Sequence, residues 1–178
     1  MAVRDIHILG SPVLRRRAEE IDVVDEEVRA FVEDLFETMA AANGVGLAAN
    51  QVGVARRVAV INAEGQTFAM INPRVSEPAG EDTKEEGCLS IPDAFADVTR
   101  PERLVLEALD EHGAPFRLEA GGLVARAIQH ELDHLDGVLF IDHLKPMKRQ
   151  LIVTRWKKEH RGDPLTRTPQ PEEPKAAD

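Results

Sequence analysis

His130-Glu131-Leu132-Asp133-His134 sets two histidines four residues apart around a glutamate. On a helix, positions four apart share one face, so both imidazoles can grip a single metal ion. Glu131, next to the first histidine, can then reach a water activated by that metal, whose pKa falls to about 7. The chemistry this spacing points to is metal-assisted hydrolysis. The same five residues would also suit a solvated helix face. Ile128, Leu132 and Leu135 recur at helical spacing and favour a packed helix, and Gly121-Gly122 before it and Gly137 after it supply boundaries.

Two imidazoles do not complete a catalytic centre, which commonly has three protein ligands and a water. Downstream, Asp142, His143 and Glu159 are candidates, as in a thermolysin-like zinc protease. Upstream, Glu86-Gly87-Cys88-Leu89-Ser90 offers a thiol, with Gly87 permitting close backbone approach. A metal-bound cysteine is deprotonated outright. Cys88 is the only cysteine, so it forms no intrachain disulfide, and it suits a small buried hydrophobe as well as a ligand. A closed structural metal site with a fourth protein ligand is the remaining reading.

The elements that must position these residues follow from patterning. A chain of 178 residues, 43% hydrophobic, suits one globular domain. With 22 basic and 32 acidic residues the net charge is −10, which argues against broad nucleic-acid or anionic-membrane binding. No apolar run is long enough to span a bilayer, and Met1 to Asp5 lacks the apolar core of a secretory signal, so a cytoplasmic protein is expected. Val28, Phe31, Val32, Leu35, Phe36 and Met39 predict a helix over Asp22–Ala42, closed by Asn43-Gly44. Strands are predicted at 57–63, 67–75, 94–99, 103–109 and 115–119. The metal helix is expected over Leu123–Asp136 and a last helix over Pro146–Glu159, with Pro146 in its first turn. Four prolines and few apolar residues predict a disordered tail over 161–178, leaving 1–160 as the domain.

Three segments together resemble the peptide deformylase family: Gly44-Val45-Gly46-Leu47-Ala48-Ala49-Asn50-Gln51, Glu86-Gly87-Cys88-Leu89-Ser90, and Gln129 to Gly137 around the histidine pair. Their order and separations also fit, and the likeness runs from the start to about His160. The resemblance implies an α+β fold, with small antiparallel β-sheets around a central metal-binding helix and helices near both ends. The late helix resembles the branch with a helical carboxyl terminus. It implies Cys88, His130 and His134 as metal ligands and Glu131 as acid/base. Gln51 and the backbone N–H of Leu89 become oxyanion donors. The implied reaction removes the formyl group from the amino-terminal methionine of nascent polypeptides, releasing formate. The implied metal is Fe2+, with Zn2+, Ni2+ or Co2+ able to substitute at one thiolate and two imidazoles.

By the same resemblance, Gly44, Val45 and Gly46 bind the peptide main chain in strand-like fashion. Leu123 and Ala127, seven and three residues before His130, share its helix face. With Val45 they are expected to line a pocket for an unbranched thioether chain. Arg126 is expected to pair with Glu86, since a lone cation beside an apolar pocket would be costly. Where some members carry a basic residue, this chain has Ala94-Phe95-Ala96, so peptide contacts in that loop are expected to be apolar. From Lys145 to Arg161 seven basic residues stand against one acid, Glu159, a reversal of sign on an acidic chain. That helix is either a solvated face or a docking surface for the phosphate-rich ribosome, independent of the active site.

Overall fold

The computed structural model describes residues 2–170. Nine strands and three α-helices occur among them. In chain order they are β1 (Ile6–His7), α1 (Glu26–Ala41), β2 (Gly46–Ala48), β3 (Val58–Ala63), β4 (Gln66–Ala79), β5 (Asp82–Cys88), β6 (Ile91–Arg100), β7 (Arg103–Leu109), β8 (Pro115–Gly121), α2 (Gly122–Leu135), α3 (Pro146–Glu159) and β9 (Thr166–Arg167). The fold is α+β, and every strand pairing within its three sheets is antiparallel.

The central sheet has the order β2-β3-β4-β7-β8. Its strand β3 is apolar on both sides because both faces are covered. Val58 and Val60 pack on α1 residues Val32 and Leu35, whereas Ala59 and Ile61 pack on α2 residues Val124 and Ile128. Alternation along a strand thus sorts one apolar run between two cores. The first helix begins four residues later than its pattern predicts, at Glu26, because Asp25 caps it by accepting a 3.0 Å bond from the Val28 amide. It ends where Asn43 enters the left-handed region at φ 54°.

The second layer is the β5–β6 hairpin, packed with α3 and the Leu139–Ile141 turn around Ile91, Phe140 and Trp156. The register from Asp82↔Arg100 to Glu86↔Ala96 breaks before Cys88↔Ile91, which leaves Cys88 at the hairpin tip. Trp156 is the one α3 residue that is buried, and its indole N–H bonds the Pro92 carbonyl at 2.9 Å. After α2 the chain turns at Gly137, φ 76°, where any Cβ would stand 2.6 Å from the Arg15 carbonyl oxygen.

The expected disorder from 161 onward does not hold over its first part. Ile8 N–H donates to the Leu165 carbonyl at 2.9 Å, and Ile6 and His7 pair with Arg167 and Thr166. Thr168 Oγ1 bonds Asp5 Oδ1 at 2.6 Å. Composition missed this because main-chain pairing to β1, not apolar content, holds the segment. The rest of the tail, 171–178, lies outside the described residues. No helix among the described residues is long and apolar enough to cross a membrane.

Candidate active site

Helix α2 carries His130 and His134 one turn apart, with ring centroids 5.0 Å from each other. Their Nε2 atoms are 3.3 Å apart, and Cys88 Sγ reaches His134 Nε2 at 3.3 Å from the hairpin tip. The three ligating atoms lie within 4.8 Å of one another. Two imidazoles held about 2.0–2.1 Å from a tetrahedral ion would place their nitrogens about 3.3–3.4 Å apart. The spacing and the soft-plus-imidazole donor set therefore fit a metal ion. Downstream candidates do not converge here. Asp142 is tied to Arg15, Arg149 and the Leu139 amide, His143 bonds Asp133 at 2.7 Å, and Glu159 pairs with Arg155.

His130 is oriented from behind. Its Nδ1 lies 2.9 Å from Glu86 Oε1, so a proton on Nδ1 leaves the Nε2 lone pair facing Cys88 and His134. Glu86 is in turn gripped by Arg100, whose Nε and Nη2 donate at 2.6 and 2.9 Å, and by Arg126. Arg100 continues to Asp133 at 2.9 Å, and that carboxylate also meets His143, while His134 Nδ1 has no hydrogen-bond partner among the described residues. Burial would raise the Glu86 carboxyl, but bonds and charge from His130 and Arg100 hold it well below the usual carboxylate range. The Arg126–Glu86 pair answers the expectation from sequence. Arg100 was not singled out there, because a lone arginine at a strand end carries no local sign of its partner.

Glu131 points away from that network. It is buried, its Oε2 has no hydrogen-bond partner among the described residues, and a Cβ at Gly46 would come 2.6 Å from its Oε1. Burial pushes its pKa up to about 7, against the pull of the His130 and Arg100 charges. Gln51 stands opposite. Its Oε1 accepts from the Ala48 amide at 2.9 Å, which fixes the amide's direction and aims Nε2 at Ser90 Oγ (3.1 Å) and Cys88 Sγ (3.7 Å). Ser90, part of the second motif but given no role from sequence, also donates its N–H toward that sulfur at 3.4 Å.

One cleft of about 600 Å³ is lined by Cys88, His130, Glu131, Gln51 and Leu89, together with Gly44, Val45, Gly46, Leu123 and Ala127. Of the site residues that the family resemblance implies, only His134 does not line it; it is buried beneath at 1% exposure. Val45, Leu123 and Phe95 supply exposed apolar surface at its walls. Phe95 lies over Gly87, where a Cβ would meet its ring at 2.6 Å, so Ala94-Phe95-Ala96 does present an apolar side chain, from strand β6 and not from a loop.

A sequence model of the polypeptide deformylase family matches residues 3–150. The chain belongs to that family. It is 51% identical over 156 residues to peptide deformylase 1 of Corynebacterium efficiens, covering 84% of this chain and 92% of that one. Against the peptide deformylase of Chromohalobacter salexigens it is 48% identical over 154 residues, covering 84% and 90%. The peptide deformylase structure from Legionella pneumophila superimposes with TM-score 0.85 at 40% identity, covering 90% of this chain and 96% of that one. That from Ehrlichia chaffeensis, solved with actinonin, gives TM-score 0.85 at 37% identity, covering 90% and 99%. Peptide deformylases are metal-dependent hydrolases, and Cys88, His130 and His134 form the group able to hold the ion here.

Proposed function

We propose that residues 1–160 form a catalytic domain that removes the formyl group from the amino-terminal methionine of nascent polypeptides, releasing formate. The carrying observation is the convergence, at the floor of one cleft, of three ligating atoms, two of them on residues that line it, with a buried unpaired carboxylate and an oriented neutral amide. Cys88, His130 and His134 would hold the metal, which would supply Lewis acidity and an activated water at neutral pH. Glu131 takes the proton from the attacking water and delivers it to the departing amine. Gln51 Nε2 and the Leu89 N–H donate to the oxygen that gains negative charge, and Gln51 does so without titrating. Gly46 leaves room for the Glu131 carboxylate, and the Gly44–Gly46 backbone binds the peptide main chain. Val45, Leu123 and Ala127 receive the methionine side chain.

Ferrous iron is the proposed metal, with zinc, nickel or cobalt able to substitute at one thiolate and two imidazoles. The proposed setting is the cytoplasm, at the ribosome. Lys148, Lys157 and Lys158 on α3 are exposed, while Trp156, Ile152 and Val153 anchor that helix on the core, which leaves a basic face for RNA phosphate. Two of its cations are otherwise engaged, Arg149 with Asp142 and Arg155 with Glu159. Formate release from formyl-Met-Ala-Ser by anaerobically purified, iron-loaded protein tests the reaction. Absence of formate from protein with full metal content would overturn it.

A further inference from the structure

The same cleft has a wall that the family match does not reach. Arg167, Pro169 and Gln170 line it, whereas the match ends at residue 150. These residues are held by the β1–β9 pairing, by the Ile8–Leu165 main-chain bond and by Thr168 on Asp5. Their support, β1, is itself tied to the hairpin tip through the Leu9 N–H bond to the Ser90 carbonyl at 2.8 Å. Two arginines line the cleft, and they differ. Arg126 is buried and spent on Glu86, while Arg167 is exposed and its side chain enters no ion pair among the described residues.

We propose that Thr166–Gln170 forms a downstream peptide subsite in which Arg167 favours a substrate carboxylate beyond the first two residues. The inference rests on the deformylase reading. If the formyl group sits at Cys88, His130 and His134, and the first side chain at Val45, Leu123 and Ala127, the wall hung from β1 meets the residues that follow. Gln170 adds an amide that both donates to and accepts from a peptide main chain. Glu85 and Asp93 are exposed acids of the same cleft, so Arg167 is what admits a substrate carboxylate against their repulsion. The carboxylate belongs either to an acidic third residue or to the end of a short peptide.

The test uses the full-length, metal-loaded chain with Arg167→Ala and Arg167→Glu, and compares formyl-Met-Ala-Glu-amide, formyl-Met-Ala-Gln-amide and formyl-Met-Ala-Lys-amide. Formyl-Met-Ala-Gln as the free acid separates the terminal from the side-chain source. Ratios of kcat/KM between peptides cancel any loss of folded enzyme. Arg167→Ala is expected to lower the Glu/Gln ratio by about two- to fivefold, the range of an exposed ion pair. Arg167→Glu should move preference toward the lysine peptide, and both effects should fade at high salt. Unchanged ratios in both variants, with formyl-Met-Ala-Gln-amide still turned over, would overturn the subsite alone. No formate from any peptide with wild-type protein would overturn the deformylase reading and the subsite with it.

Discussion

Replacing Glu131 by glutamine should make the metal-free protein more stable while removing its catalytic acid/base. The carboxyl is 3% exposed, its Oε2 lacks a partner among the described residues, and burial lifts its pKa from 4.5 to about 7. A rise of that size corresponds to about 3 kcal/mol. Because the folded state raises the pKa, the favourable contribution is complete below the unfolded value and is lost as pH climbs through about 7. Glutamine cannot ionise, so this loss disappears from the variant. Urea denaturation of metal-free wild type and Glu131→Gln should differ by less than about 1 kcal/mol at pH 5, with the variant ahead by about 3 kcal/mol at pH 8. With metal bound the gap should shrink, since a nearby cation favours the carboxylate. A difference that stays constant between pH 5 and pH 8 would refute the reasoning, because it would mean that Glu131 ionises as freely folded as unfolded.

Arg100→Met leaves Glu86 and Asp133 without their shared guanidinium. It should cost about 3 kcal/mol by thermal or chemical denaturation, at the lower end for a broken buried pair because Arg126 still holds Glu86. The same change should weaken metal affinity about 10- to 100-fold in chelator competition, since Glu86 then orients His130 less firmly. Gln51→Ala removes one oxyanion donor and should lower turnover about 10²- to 10³-fold with KM little changed, read by steady-state kinetics. Formyl-Val peptides should be turned over far more slowly than formyl-Met peptides, because a β-branched first residue does not suit the Val45–Leu123–Ala127 pocket; equal kcat/KM would remove that pocket from the account.

The parts of this fold that could be read from sequence are those where local spacing carries the information. The i, i+4 histidines lie on α2 as read, and α3 has the predicted bounds because Pro146 opens it. Strand β3 was legible at 57–63 because Val58–Ile61 is a continuous apolar stretch, although its burial on both faces was not. Strand β5 did not, because Asp82-Thr83-Lys84-Glu85 is largely exposed and takes its shape from pairing with β6. Cys88 was ambiguous for a related reason: its proximity to His134 is created by a hairpin tip 46 residues away. Arg100 and Ser90 support the site through partners remote in sequence or through the hairpin's own turn, and neither leaves a periodic trace. The β9 segment was misread as disorder because two residues held by main-chain bonds to β1 have no composition to notice.

The central claim is that Cys88, His130 and His134 hold a catalytic metal and that Glu131 moves the proton beside it. Metal content and formate release measured on the same anaerobic preparations of wild type, Cys88→Ala and Glu131→Gln test it most directly. The account predicts that Cys88→Ala loses both metal and activity, whereas Glu131→Gln keeps its metal and loses about 10²- to 10⁴-fold in turnover. Full metal and near-normal turnover in either variant would contradict it.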